Sequence, residues 1–331
     1  MKAQVINDFG KALEVFQETN DLQIPHPQEN EIQIQVLASS VNDLDTKIRN
    51  GDLDFIAPEF PAVLHGDVAG IVTGIGKNVT RFRKGDKVFG FIGGIKGYSG
   101  ALSDFITADE GFFAIAPDAV SFAELGSLPL VGITAYEAII ERGNVEKDET
   151  VLVYGATGGV GHIAIQLAKL LGAKVFAVVI SQEQADIARQ LGADETIIFS
   201  EKPVKEYIHE FTNGLGFDVV VDTVGLQNFS NALEAVKVSG KVINTFAYIN
   251  ADLTSAQMKG VSLHFIAMLI PLFTNINKEK YGQILSKYAY WLDEKKMTVL
   301  VDEKSFSFTE VGLAHQYYES KKAKGKIALL N

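Results

Sequence analysis

The stretch Val151-Leu-Val-Tyr-Gly-Ala-Thr-Gly-Gly-Val-Gly161 decides how the rest of the chain is read. A short apolar run enters a glycine-rich turn, and helical periodicity follows over residues 160–171. Where a strand passes through glycines into a helix, the backbone can approach a pyrophosphate, and free N–H groups at the helix N-terminus bind it. Gly158 and Gly161 hold the second and third glycine places of the dinucleotide fingerprint, while Ala156 holds the first. A turn that merely packs a helix on a strand would look the same locally, so the elements that follow carry the decision. Residues 174–180, 218–222 and 241–246 are further short apolar runs, each suited to a strand buried on both faces. Residues 182–191 and 228–238 carry helical periodicity between them, and Gly172 and Gly192 stand where helix C-caps are expected. This alternation predicts right-handed crossovers and a doubly wound parallel sheet, an α/β fold.

The end of the second strand selects the cofactor. In NAD sites of this kind an acidic residue about 20 positions on bonds the ribose hydroxyls. Here Phe176-Ala-Val-Val-Ile-Ser181 carries no carboxylate, so a 2′-phosphate meets no repulsion and NADPH is expected over NADH. No Arg or Lys follows until Arg189. Ser181 can donate a hydrogen bond, and Lys321 is the candidate cation from elsewhere. Its run, Lys321-Lys-Ala-Lys-Gly-Lys326, reads either as that cation source or as a solvated turn.

Outward from this core the rhythm is β. Residues 3–7 and 13–16 are strand candidates, and Ile32, Ile34 and Val36 alternate with Gln33 and Gln35. Residues 62–76 form an apolar run broken by four glycines, as in a curved sheet or small barrel. Residues 87–91 are the next strand, and the glycine-rich residues 93–100 read as a mobile loop that could act as a lid. Residues 261–269 suggest one more strand, 278–295 an amphipathic helix, and 326–330 a strand returning to the N-terminal β domain. The expected boundaries are 1–120 for the first part of a β-rich domain, 121–268 for the dinucleotide domain and 269–331 for the return.

Composition agrees. The chain has 331 residues, room for two domains at roughly 100–200 residues each. With Lys plus Arg at 30 and Asp plus Glu at 41 the net charge is −11, which argues against generic nucleic-acid binding. Cysteine is absent, which removes disulfides, thiol nucleophiles, iron–sulfur clusters and Cys-ligated zinc, and fits a reducing compartment. Residues 1–9 are too short and polar for a secretory core. The apolar run 261–273 falls short of the about 20 residues a membrane span needs, and reads as a buried strand or a subunit interface. A cytoplasmic homodimer, with no membrane or nucleic-acid partner, is the expectation.

Beyond these local readings, the chain resembles the zinc-independent quinone oxidoreductases of the medium-chain dehydrogenase/reductase superfamily, the zeta-crystallin-like branch. The resemblance rests on Val41-Asn-Asp-Leu-Asp-Thr-Lys-Ile-Arg-Asn-Gly51 and His65-Gly-Asp-Val-Ala-Gly70. It continues through Val79-Thr-Arg-Phe-Arg-Lys-Gly-Asp-Lys-Val-Phe89, Gly132-Ile-Thr-Ala-Tyr136 and the 155–161 turn. It implies a GroES-like β-rich catalytic domain, a Rossmann domain and an active site in the cleft between them. It places Asn42 near the nicotinamide ribose, Thr134 near the carboxamide, and Phe246 beside the nicotinamide. Gly158, Gly159 and Val160 would contact the pyrophosphate, with Thr157 in the same turn. Phe199 falls where relatives often carry a Tyr near the adenosine phosphate, and Gln184 where many carry a Lys. Asp43 follows Asn42 where the motif often has Pro.

Zinc-dependent relatives read Gly-His-Glu where this chain reads His65-Gly66-Asp67, so the ligand His becomes Gly66. No metal site is expected. The remaining readings of these residues are a site assembled from His65, Asp67 and another His, or a capping Asp67 beside a packed His65. Zinc would offset several kcal/mol of developing charge on an isolated ketone. Without it the substrate must spread its own charge, as quinones and α,β-unsaturated carbonyls do by conjugation. Tyr98, Tyr136 and Tyr248 are candidate oxyanion donors or packing groups. Arg49 and Lys47 read as cofactor contacts or solvated charges, and His162 as a phosphate neighbour or a structural residue. The leading expectation is an NADPH-dependent reductase of quinones or enones. The alternatives are an NADP-linked alcohol dehydrogenase or ketone reductase, and a non-catalytic NADPH-binding protein.

Overall fold

Runs of Val, Ile and Leu build a parallel sheet in one part of the chain, and alternating apolar and polar residues build an antiparallel one in the other. The computed structural model describes residues 1–246 and 249–331. It divides into two units, Val131–Met268 and the pair of segments Met1–Leu130 and Leu269–Asn331.

In Val131–Met268, strands β1 (Thr150–Tyr154), β2 (Lys174–Val179), β3 (Glu195–Ile198), β4 (Phe217–Asp222), β5 (Val236–Asn244) and β6 (Ser262–Phe265) form one sheet. Its order is β3-β2-β1-β4-β5-β6, and every pairing is parallel. The connecting helices are α1 (Gly159–Leu170), α2 (Gln182–Gln190), α3 (Val204–Thr212), α4 (Asn228–Ala235) and α5 (Thr254–Lys259). The order reverses between β1 and β4, the switch point where open sheets of this type bind ligands. Tyr154, Phe176, Tyr207, Phe217 and Phe229 are fully buried in one core cluster against this sheet. Such aromatics each remove about 150–250 Å² from water. The doubly wound sheet matches the expectation, with local differences. β3 and α3 carried no sequence signal strong enough to name, since β3 is a four-residue edge strand. β5 starts at Val236, because α4 stops at Ala235 and residues 237–240 bulge out of register between the Phe217–Val236 and Val219–Lys241 pairs.

The other unit centres on the long strand Glu31–Val41. One of its edges pairs with Asp67–Ile75. Its other partners divide its length, with Phe105–Asp109 on residues 31–35 and Ile327–Leu330 on residues 38–41. The C-terminus thus completes a sheet begun some 290 residues earlier. Ile32, Ile34, Val36 and Ala38 are wholly buried, as the alternation predicts. Two readings of this unit are corrected. Residues 12–15 are a helical turn, so the strand begins at Phe16 and runs Phe16–Thr19. Residues 62–76 are two strands, Ala62–Val63 and Asp67–Ile75, broken where His65 takes a φ of 71°. The loop of residues 93–100 is tied down, with Lys96 N donating to Ile56 O at 2.7 Å and Tyr98 N to Ile95 O at 2.8 Å.

Among the described residues no helix is long and apolar enough to cross a membrane. Leu329 is fully buried on the returning strand. Leu329→Ala is expected to cost about 2–5 kcal/mol, read as a lower urea midpoint with unchanged slope.

Candidate functional site

β1 ends at Tyr154, and Gly155 follows at φ +68°, the left-handed region that a side chain resists. The fingerprint reading put Ala156 in the first glycine place; the residue that needs glycine's freedom is Gly155, one position earlier. α1 begins at Gly159, with Gly158 as an N-cap that offers no side-chain cap. A Cβ on Gly161 would lie 2.2 Å from Gly155 O and 2.9 Å from Ala156 Cα, so only glycine lets the helix approach the turn. Gly158 is exposed, Gly159 and Val160 are half-buried and Thr157 is buried. The first N–H groups of α1 have no intrahelical acceptor. Together these features form a cradle for an anion at the start of a twelve-residue helix. His162 is buried behind it, with both its backbone N–H (3.1 Å) and ring Nδ1 (2.9 Å) on Gly158 O.

At the end of β2, Ser181 Oγ caps α2 by accepting from Gln184 N at 3.3 Å. Gln184 Oε1 in turn accepts from Ile180 N at 3.2 Å. Ile180 (72% exposed) and Phe199 (46%) leave apolar surface beside it. Arg189, the next cation along the chain, is engaged by Asp186 at 2.8 Å and Thr196 at 2.6 Å. Lys321 belongs to the other unit, where it is exposed and its ammonium lies 4.9 Å from the Tyr318 ring centroid.

At the ends of β4 and β5 a carboxylate escaped sequence reasoning. Asp222 is fully buried. Its Oδ1 accepts from Val224 N (3.0 Å), Gly225 N (3.1 Å) and Asn228 Nδ2 (2.9 Å). Its Oδ2 accepts from Asn244 Nδ2 at 3.2 Å, and Asn244 Oδ1 accepts from Phe246 N at 2.6 Å. The missed signal was an Asp ending one buried strand and an Asn ending its neighbour. Thr134 and Tyr136 are buried on the helix Pro129–Tyr136. Tyr248 lies outside the described residues.

The unit built from both chain ends holds a second buried cluster. Asn42 caps the helix Asp43–Asn50, and its Nδ2 donates to Asp67 Oδ2 at 2.8 Å. Lys326, 3% exposed, donates to Val41 O at 2.9 Å and to Asn42 Oδ1, and lies 3.6 Å from Asp67 Oδ2. Ser40 Oγ and Leu130 N also donate to Asp67, each at 2.7 Å. Asp45 accepts from Asn42 N at 2.8 Å. Burial, helped by the charge of Asp67, raises the Asp45 pKa to about 7. Arg49, which the sequence left open as a solvated charge, is instead buried and paired with Glu319. Lys47 bridges Asp43 at 2.6 Å. Tyr98 donates its hydroxyl to Leu272 O at 3.2 Å.

His65 and His315 are both fully buried, with Nε2 atoms 2.8 Å apart, so one ring donates and the other accepts. Burial holds His65 down to about 3 and His315 well below its usual range. These residues do not fit a zinc site. Gly66 has no donor, both Asp67 oxygens are taken, and His65 Nε2 faces another ring. Among the described residues no group of three or more His, Cys, Asp or Glu could hold a metal ion.

Comparisons with known proteins follow the same division. Residues 28–118 match the family described as alcohol dehydrogenase GroES-like domain, and residues 159–268 the one described as zinc-binding dehydrogenase. A tomato (Solanum lycopersicum) 2-methylene-furan-3-one reductase is 30% identical over 336 residues, covering 99% of this chain and 79% of that protein. An alcohol dehydrogenase superfamily protein from Novosphingobium aromaticivorans superposes with a TM-score of 0.94 at 33% identity, covering 100% and 99% of the two chains. The Escherichia coli quinone oxidoreductase complexed with NADPH gives 0.88 at 27% identity, covering 100% of both chains.

Asp45 sets a pH test. Its folded-state pKa lies above the unfolded value, so the fold holds a proton that the unfolded chain releases, and its contribution to stability falls as pH rises from about 4 through about 7. The two buried histidines act oppositely, because the unfolded chain takes up their protons below about 6.5. Asp45→Asn keeps an acceptor for Asn42 N–H and removes the titration. Its urea midpoint relative to wild type is expected to rise from about pH 4 through about pH 7 and to level off above that.

Proposed function

Because this chain belongs to the medium-chain dehydrogenase/reductase superfamily, in its quinone-oxidoreductase, zeta-crystallin-like branch, we propose that it reduces quinones or α,β-unsaturated carbonyls with NADPH, without a metal. Oxidoreduction is the business of the family; the acceptor class and the choice of NADPH are the proposal. The observation that carries it is the pairing of an uncapped glycine turn with a β2 end that bears no carboxylate. The similar Escherichia coli enzyme, solved with NADPH, supports the same choice.

The residues present fit a dinucleotide. Gly158, Gly159 and Val160 would hold the pyrophosphate on the first N–H groups of α1. Gly155 and Gly161 keep those groups in place. Ser181 keeps its hydroxyl proton for a 2′-phosphate oxygen, and Ile180 and Phe199 offer apolar flanks for the adenine. On the nicotinamide side the reading uses Phe246, Thr134 and Asn42, with Tyr136 as a packing group. Bound NADPH supplies a hydride from its nicotinamide ring.

The protein's part is to bind and orient both reactants and to exclude water. An acceptor that delocalises the incoming charge needs only a few hydrogen-bond donors on its oxygen. Its product anion takes a proton from water to give the hydroquinone or saturated carbonyl. The half-exposed Phe265 on the outer strand β6 supports the dimer that belongs to this reading.

The test follows NADPH and NADH at 340 nm with a small quinone and a conjugated enone, with and without a strong chelator. Turnover with NADPH that survives the chelator is expected. Activity lost to the chelator would favour the alcohol dehydrogenase reading, and NADPH binding without turnover the non-catalytic one. Ser181→Asp places a carboxylate where the 2′-phosphate is read. It is expected to lower the NADPH-to-NADH ratio of kcat/KM by about tenfold or more.

A further inference from the structure

Asp222 and Asn244 form a chain of hydrogen bonds whose direction is fixed. Asp222 can only accept when ionised, so it faces the Nδ2 of Asn244, at 3.2 Å. The backbone N–H of Phe246 can only donate, so it faces the Oδ1 of Asn244, at 2.6 Å. The amide of Asn244 is therefore held in one of its two flips by partners on either side. Both side chains are buried, at 0% and 1% exposure, where an unmatched donor or acceptor costs its full desolvation.

The other oxygen of Asp222 takes Val224 N, Gly225 N and Asn228 Nδ2, which shapes the 223–228 loop. That loop touches both halves of the candidate cofactor site in this unit. Thr223 Oγ1 donates to Tyr154 O at 2.8 Å, and a Cβ on Gly155 would lie 2.4 Å from that Thr223 Oγ1. Gly225 packs under Phe246, where an added Cβ would lie 2.6 Å from the phenylalanine's own. One buried carboxylate thus ties the glycine turn on β1 to Phe246 after β5, across the switch point between β1 and β4.

We propose that Asp222 and Asn244 are positioning residues for the cofactor: without touching it, they set Phe246 and the 223–228 loop for its nicotinamide half. The proposal rests on the functional reading above, in which Phe246 lies beside the nicotinamide. Its chemistry dictates a particular epistasis. Asp222→Asn keeps the shape and an acceptor oxygen for the loop, but turns an N–H₂ toward the Nδ2 of Asn244. Asn244 must then flip and present an N–H₂ to the N–H of Phe246, so Phe246 is released. Asn244→Asp alone sets two carboxylates against each other. The double variant Asp222→Asn/Asn244→Asp swaps amide and carboxylate. Asp at 244 then accepts from both the new amide and Phe246 N–H, and both bonds return.

The experiment measures NADPH affinity by nicotinamide fluorescence, KM for NADPH and for a small quinone, and the thermal midpoint, for wild type, both singles and the double. Each single is expected to weaken NADPH by about tenfold while the quinone KM moves less than about twofold, and the double is expected to return within about threefold of wild type. A purely structural role would shift midpoints and leave NADPH affinity of the folded singles intact, and that result overturns the proposal. So does a double variant whose losses simply add. If a single variant does not fold, the double decides: it must fold and bind NADPH within about threefold of wild type, and failure of either overturns the proposal. Wild type that binds no NADPH would overturn the functional reading itself, whatever the variants do.

Discussion

Helix α1 can start where it does only because residue 161 has no side chain. The carbonyl of Gly155 occupies the space a Cβ would need, at 2.2 Å. This approach brings the N-terminus of α1 to the end of β1, where the N-cap Gly158 supplies no side-chain cap. The left-handed Gly155 and its contact with Thr223 carry the constraint to β4, and Asp222 carries it on to β5. The ends of three strands are thus arranged around one backbone contact. A dinucleotide is the ligand such an arrangement suits, because its pyrophosphate needs bare N–H groups and its two ends need separate walls.

The other unit has a different logic. Its sheet is closed by a C-terminal strand, and a buried ammonium, Lys326, enters with that strand. Lysine is almost never fully buried without partners, and here the Asp67 carboxylate, the Asn42 amide oxygen and the Val41 carbonyl compensate it. The cluster that orders Asn42 therefore exists only once both chain ends are in place.

Much of this was legible in the sequence, for physical reasons. Strands buried on both faces are apolar over most of their length, so β1, β2 and β4 were visible as short runs rich in Val. The glycine turn was visible because close approach admits no other residue. β3 was not, since an edge strand of four residues with Glu at its head has no periodicity to read. Residues 13–16 were read as strand because Leu13, Val15 and Phe16 around a polar Glu14 fit a strand as well as the single helical turn that residues 12–15 form. Asp222 and Asn244 showed nothing beforehand, and Lys326, read with its run as a cation source or a solvated turn, is instead buried, because their roles depend on which strand ends become neighbours. The burial of Arg49 was hidden for the same reason: its partner, Glu319, lies 270 residues away. Local spacing could place the glycine turn, but the polar networks behind it are long-range.

The central claim is that the unit carrying the glycine turn binds NADPH in preference to NADH. Titration calorimetry of the intact chain with each dinucleotide tests it without any acceptor or assay of turnover. One NADPH bound per chain, about tenfold or more tighter than NADH, is the result the account predicts. Equal or tighter binding of NADH, or heat from neither, would contradict it.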